Sequence, residues 1–426
     1  MRILIFAIGS RGDVQPYVAL GLGLKGKGHH VRIAASLEFK ELIETYGLDF
    51  FGLTWNSREF MSGPTTDTGR NMVKLFTRAF HKDKLFSNEM LSECVEASRG
   101  MDVAILTPLA YWGAKVRQPF GIPKLMTSLA PVSPTREFPQ FIFPSLPNNV
   151  PFRKHYNLLS YTLSVNVSWT LMRKALMDMG KETPEFSRPP ILNPWYQPDN
   201  QQIPILYGYS PSVIPPPSDW GDWLMVTGFW FLDRPSDWKP PMEVLDFLGS
   251  GKTPIFIGLG SLSVKNPELF ANQVFEALAM AGERAIFAVG WSDLKKIRSP
   301  KNVLMLDAIP HDWIFGHVSA VVHHGGAGVF AASLRAGLPS LAVPHFADQF
   351  LWGDRIEALG VGPKSIPRQR LTPKQLADAI TKMAHDKEIR LKAAELGKKI
   401  QEENGVSRAV ECFESWAKSS NATALV

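Results

Sequence analysis

Short, largely apolar runs alternate with stretches whose apolar residues return at helical spacing along most of this chain. In the first half, the runs Ile3–Ile8, His30–Ala34 and Val103–Thr107 precede the helix-compatible stretches Pro16–Lys27, Phe39–Tyr46 and Ala110–Val116. A strand that is apolar at every position is covered on both faces, so the alternation predicts a parallel sheet flanked by helices. The texture changes between Val132 and Pro217, where prolines and aromatics crowd together. Proline cannot donate to a sheet ladder, so loops and short helices over a surface are expected there. Ile214-Pro-Pro-Pro217 reads as a stiff, extended linker. A second alternating series follows, with strands at Pro254–Gly258, Ala285–Val289, Val303–Leu306, Ala320–His323 and Ser340–Val343, and helices at Pro267–Ala281 and Val329–Gly337. From Thr372 to about Ser419 the pattern is amphipathic and helical, with a break near Asn404-Gly405.

A chain of 426 residues exceeds one comfortable core. The expected class is α/β, with two Rossmann-like doubly wound domains facing across a cleft. The boundaries read as 1–213 for the first domain, 214–224 for a linker, 225–408 for the second domain and 409–426 for a terminal helix crossing back to the first. In such sheets ligands gather at the carboxyl ends of the strands.

The densest candidate chemistry is Val322-His-His-Gly-Gly-Ala-Gly328, followed by Asp348-Gln349. An apolar run feeding a glycine-rich turn and then helix-compatible residues is a strand, a turn and a helix N-terminus, where free backbone N–H groups and the helix dipole favour an anion. A glycine-bearing turn with one surface and one packed histidine explains the turn alone equally well. Gly9-Ser-Arg-Gly-Asp-Val-Gln-Pro16 closes the first strand. Asp13 there reads either as a helix cap or as a general base displayed at a strand end. Gly258-Leu-Gly-Ser261-Leu-Ser263 could contact a phosphate or make a plain tight turn, and Ile309-Pro-His-Asp-Trp313 either packs a tryptophan or flanks a nucleobase. Gly21-Leu-Gly-Leu-Lys-Gly26 matches the dinucleotide glycine pattern literally, but it falls inside the helix after the turn and is set aside.

Composition narrows the classes. Hydrophobic residues make up 45% and charged residues 20%, as in ordinary globular domains. The net charge of +6 suits an anionic ligand or a membrane surface, yet the basic residues are spread out, so nucleic acid is not expected as a partner. Cys94 and Cys412 exclude a disulfide framework and a cysteine-based zinc site, and they suit a reducing compartment. The opening apolar run is too short for a signal peptide and reads as a buried strand. No run approaches the roughly twenty apolar residues that cross a bilayer. The expected location is cytoplasmic, with peripheral membrane contact left open.

Together these motifs resemble the family 1 inverting glycosyltransferases of the two-Rossmann-domain GT-B fold, and within them the sterol glucosyltransferase and bacterial antibiotic or macrolide glycosyltransferase branch. The resemblance spans nearly the whole chain, and residues 9–16 and 323–349 carry most of it. It implies that His323 and the backbone of Gly325, Gly326, Ala327 and Gly328 bind a diphosphate, with Ser261 and Ser10 adding contacts. It implies that Ile309, Pro310 and His311 flank the base, that Asp348 and Gln349 hold the donor sugar, and that Asp13 is the catalytic base. A supporting aspartate in plant members falls near Thr107, and a ribose-binding glutamate falls at Ala331. The donor implied is UDP-glucose or a dTDP-sugar, with no metal and no other cofactor. The aromatic-rich regions Trp55–Phe86 and Pro131–Trp195 suggest a flat lipophilic alcohol, a sterol or terpenoid, with a macrolide, glycopeptide or hydroxy-lipid as alternatives. A GT-B sugar-nucleotide epimerase and a non-catalytic accessory subunit are the competing classes.

Overall fold

The computed structural model describes residues 1–57, 69–71, 88–107, 110, 122–180, 191, 204–258, 260, 266–290, 294 and 297–423. They form two compact units, each with its own all-parallel sheet.

The first unit comprises Met1–Ser57, Met72–Leu232 and Asn404–Val426. Its strands are β1 (Arg2–Phe6), β2 (His30–Ser36), β3 (Asp49–Leu53), β4 (Val103–Leu106), β5 (Lys124–Ser128), β6 (Ile205–Tyr207) and β7 (Leu224–Val226). They run in the order β3-β2-β1-β4-β5-β6-β7. Strand β1 is buried from Ile3 to Phe6, as a strand covered on both faces requires. The order reverses between β1 and β4, which pair in register from Ile3↔Val103 to Phe6↔Leu106. That reversal opens a crevice at the carboxyl ends of these two strands.

Helix α1 (Arg11–Gly26) begins five residues before the expected Pro16, because Ser10 and Asp13 close a capping box ahead of it. Pro16 lies within the helix. Two of the three glycines of the discarded dinucleotide pattern serve packing. A Cβ on Gly23 would stand 2.5 Å from Val406, and one on Gly21 3.0 Å from Leu48. Helix α12 (Gly405–Thr423) packs on α1 through that gap, so residues 404–426 group with the first unit. The segment 214–224 does not separate the units. Leu224–Val226 extends the first sheet as β7, paired to β6 from Ile205↔Leu224 to Tyr207↔Val226, and the first unit continues to Leu232. The proline-rich run misleads because it is a loop between two strands of one sheet.

The second unit comprises Arg58–Asn71 and Asp233–Glu403. Its strands are β8 (Ile255–Gly258), β9 (Ala285–Ala288), β10 (Val303–Leu306), β11 (Val321–His323) and β12 (Ser340–Ala342), ordered β10-β9-β8-β11-β12. Alternate side chains of β8 feed opposite cores: Ile255 and Ile257 join Phe270, Val274 and Ile380, while Phe256 joins Ile314, Phe315 and Val329. The reversal falls between β8 and β11. The helical tail has a break the pattern did not show. Asp386 ends α10 (Pro373–His385) and caps α11 (Lys387–Glu402), its carboxylate accepting from the N–H groups of Glu388 and Ile389.

Candidate functional site

Both groups of sequence-singled residues sit at the reversal point of a sheet. In the first unit the loop after β1 carries Gly9, Ser10 and Asp13. One carboxylate oxygen of Asp13, Oδ2, accepts from the Ser10 N–H at 2.8 Å and the Ser10 hydroxyl at 2.9 Å. Among the described residues Oδ1 takes no hydrogen bond. Asp13 therefore satisfies the helix N-terminus with one oxygen and presents the other, so the cap and general-base readings are compatible. Protein atoms crowded around the carboxyl push its pKa above the ordinary aspartate value, against the pull of the Ser10 N–H and hydroxyl. The residue nevertheless exposes much of its surface, so a substrate can reach it and the upward shift is moderated by solvent.

Gly9 is a site residue that sequence reasoning missed. Its φ is +147°, and a Cβ there would lie 2.5 Å from Asp13 Cβ, Cγ and Oδ2. The signal was present only as one glycine among two in Gly-Ser-Arg-Gly. Gly9→Ala is expected to displace the Asp13 carboxylate and lower turnover at least about tenfold, a one-ångström misplacement being enough for that. Circular dichroism and steady-state kinetics on the variant check this. Thr107, the residue after β4, is buried, and its hydroxyl has no hydrogen-bond partner among the described residues. Ser10 is committed to Asp13 as helix cap and hydroxyl donor.

In the second unit, the turn after β11 leads into α8 (Ala327–Arg335). Gly326 caps this helix with extended backbone, no side chain caps its N–H groups, and no acidic residue stands in its first turn. Among the described residues, the Ala327, Gly328 and Val329 N–H groups thus meet no internal acceptor at the helix start. His323 is 1% exposed and its Nδ1 accepts from the Gly325 N–H at 3.0 Å. That bond places the ring proton on Nε2, which is enclosed without a hydrogen-bond partner among the described residues. His323 thus works on the turn itself and has no exposed donor.

Burial pushes the His323 pKa well below the usual imidazole range, and His324 and His311 add repulsion. Burial, with His345 behind it, pushes His324 down to about 4, opposed by a hydrogen bond with the Gly258 backbone. His324 is wedged between glycines, since a Cβ on Gly260 would stand 2.5 Å from its Cε1 and one on Gly326 would collide with its Nε2.

These depressed values set a stability prediction. The unfolded imidazole takes a proton near pH 6.5 and the folded one does not, so stability is complete above about 6.5 and is lost as pH falls towards 4. For His324 the displacement from 6.5 to about 4 corresponds to about 3 kcal/mol. Urea midpoints are expected to fall over that window in the wild type and to fall less in His324→Gln. A flat wild-type profile contradicts the burial of neutral imidazoles.

Gly325 joins the turn to the Asp348-Gln349 pair. Its φ is +88°, and a Cβ would lie 2.7 Å from the Gln349 carbonyl oxygen and 3.1 Å from Gln349 Cβ. Gln349 opens α9 (Gln349–Leu359), is 4% exposed, and its Oε1 accepts from the N–H groups of His345 at 2.8 Å and Phe346 at 3.3 Å. Its amide oxygen is committed to the loop, leaving its NH₂ as the outward donor. Asp348 accepts from Trp352 Nε1 at 3.0 Å. Ala347 before it adopts a left-handed conformation with φ +52°, a strained state for a residue with a Cβ and one that clusters at functional sites.

Ile309 is buried after β10, Pro310 caps the short helix α7 (His311–Ile314), and His311 stacks on Phe315 with centroids 4.8 Å apart. Ile309 and Ile314 pack with Val321 in one core cluster, which puts this segment beside β11. Ser261 lies outside the described residues. Ala331 is buried within α8. Among the described residues no group of three or more His, Cys, Asp or Glu is arranged to hold a metal ion, and no helix is long and apolar enough to cross a membrane.

Residues 3–116 match the glycosyltransferase family 28 N-terminal domain, and residues 273–407 match the erythromycin biosynthesis protein CIII-like C-terminal domain. The sterol 3-beta-glucosyltransferase of Yarrowia lipolytica is 36% identical over 427 residues, covering 97% of this chain and 28% of that protein. The enzyme of the same name from Candida albicans is 36% identical over 430 residues with the same shares. The chain therefore spans little more than a quarter of these relatives' length. Among solved structures, the glycotransferase of kitacinnamycin superposes with a TM-score of 0.68 at 19% identity, covering 97% of this chain and 98% of that one. The Streptomyces sp. SF2575 glycosyltransferase SsfS6 complexed with thymidine diphosphate does so at 0.61 and 19%, covering 97% and 99%. At those identities the likeness is one of fold.

Proposed function

We propose that this chain, which carries a family 28 N-terminal domain ahead of an erythromycin biosynthesis protein CIII-like C-terminal domain, is a GT-B glycosyltransferase that moves a hexose from a nucleoside-diphosphate sugar to a hydroxyl of a lipophilic acceptor. The observation that carries this reading is the turn after β11. An uncapped helix N-terminus framed by glycines, with no acidic residue in its first turn, abuts the Asp348-Gln349 pair. A diphosphate needs donors where charge develops, and a sugar needs several polar groups beside them.

The reaction is a single displacement with inversion. The acceptor hydroxyl attacks the anomeric carbon, its proton passes to Asp13, and the nucleoside diphosphate departs. A carboxylate cannot strip an alcohol in its ground state, but it takes the proton as the C–O bond forms, and a raised pKa makes it a better base for that step. On the second unit, the N–H groups of Ala327, Gly328 and Val329 receive the diphosphate charge. His323 holds the turn through Gly325, and Ser261 is assigned a supplementary phosphate contact. Ile309, Pro310 and His311 flank the base. Asp348 and the Gln349 amide hold the sugar hydroxyls.

The fungal relatives are named for sterol glucosylation, which supports a sterol or related terpenoid as the acceptor and glucose as the sugar, and the first reading takes UDP-glucose as the donor. A dTDP-sugar and a macrolide-type acceptor form the second reading, favoured by the fold neighbour bound to thymidine diphosphate. A panel of UDP- and dTDP-sugars against sterols, terpenoids and macrolides, scored by mass spectrometry, tests both. A glycoside from a sterol with UDP-glucose supports the first, and nucleotide-sugar isomerisation without any acceptor refutes transfer.

A further inference from the structure

Three residues from the first half of the sequence, Gly69–Asn71, fall in the second unit, although the described residues before them, to Ser57, and after them, from Asn88, fall in the first. They lie against the loop that carries Asp348 and Gln349. The Gly69 N–H donates to the His345 carbonyl at 2.9 Å, and Gly69 forms a parallel bridge with Phe346. Arg70 Nη2 donates to Asp354 Oδ2 at 2.6 Å, and its guanidinium stands 4.9 Å over the Phe350 ring. Three contacts thus bracket the strained Ala347 from both sides, the Gly69 bridge at 345–346 before it and the two Arg70 contacts at 350 and 354 after it.

We infer that Arg70 is a positioning residue for the donor sugar, holding the start of α9 so that the 345–349 turn keeps Asp348 and the Gln349 amide in place. This rests on the donor-sugar assignment above. The ion pair alone would add little, because both partners are partly exposed. Its effect comes from cooperation. The loop must hold a left-handed Ala347, and such strain persists only where surrounding contacts over-determine it. Gln349 Oε1 supplies two of these contacts from inside the loop, and Gly69 and Arg70 supply the others from outside it. The N–H groups assigned to the diphosphate stand at the start of α8, a different helix from the one Arg70 holds, so the diphosphate cradle does not depend on Arg70 in the same way.

The test compares affinities by titration calorimetry for UDP-glucose against UDP, and for dTDP-glucose against dTDP, in the wild type, Arg70→Ala, Arg70→Lys and Asp354→Asn. The expected result is a loss of about tenfold in affinity for the sugar nucleotide in Arg70→Ala and Asp354→Asn, with the free nucleotide unchanged. Arg70→Lys should recover only part, since lysine keeps the charge and loses the planar stacking on Phe350. Should Arg70→Ala melt early, Asp354→Asn carries the comparison, being nearly isosteric. The inference is overturned if the sugar nucleotide keeps its advantage over the free nucleotide in these variants, or if both affinities fall together. A wild type that binds UDP or dTDP no more weakly than the sugar nucleotides overturns instead the donor-sugar assignment on which the inference stands.

Discussion

Asp13→Asn is expected to lower turnover by about 10²–10⁴, the usual share of general-base catalysis, while donor affinity and thermal stability stay close to wild type. The substitution separates the two tasks of this side chain. Asparagine keeps one oxygen that can accept from the Ser10 N–H, now donated to the carboxylate at 2.8 Å, so the start of α1 remains capped. What it removes is the anionic oxygen able to take a proton. Asp13→Ala should cost the same turnover and, in addition, about 1 kcal/mol of stability through the lost cap. The two variants read side by side in chemical melts and steady-state assays distinguish a base from a cap. Turnover of Asp13→Asn within a few-fold of wild type removes the base from the mechanism.

Gly325→Ala should produce the second large effect, in binding instead of turnover. At φ +88° an alanine is strained in isolation, and its Cβ would press to 2.7 Å from the Gln349 carbonyl, a backbone atom that cannot swing aside. The turn after β11 and the start of α9 must separate, which moves the helix N-terminus proposed to receive the diphosphate. The expected cost is about 1–3 kcal/mol of stability and about 100-fold in nucleotide affinity, the scale of a one-ångström misplacement. Gly249→Ala is the control. That residue ends α5 (Met242–Gly249) with nothing within 4 Å of a new Cβ, so it should leave binding untouched. Equal behaviour of the two variants in a nucleotide titration contradicts the role given to the turn.

The fold was legible where burial decides the pattern. Strands β1, β8 and β9 are apolar at nearly every position because helices cover both faces, and that signal is independent of distant partners. The boundary between the units was not legible, because a proline-rich segment looks the same whether it joins two domains or two strands of one sheet. The start of α1 was misplaced for a related reason. Pro16 is a strong marker of a helix start, but the Ser10–Asp13 capping box sets the start earlier and outweighs it.

Within the candidate site, the residues that bear polar atoms were singled out by their motifs. The glycines' reasons did not. Gly9 and Gly325 matter through close approach to Asp13 and Gln349, and Gln349 turned out to spend its amide oxygen on its own loop. The left-handed Ala347 and the bridge from Gly69 to Phe346 depend on residues hundreds of positions apart, which no local pattern encodes.

The most direct test of the mechanism is the configuration of the new glycosidic bond, read from the anomeric proton by nuclear magnetic resonance as the product forms from UDP-α-glucose and a sterol. A single displacement driven by the Asp13 carboxylate gives the β-glycoside from the first turnover. An α-glycoside as the first-formed product contradicts it, because retention requires a step that one base and one departing diphosphate do not provide.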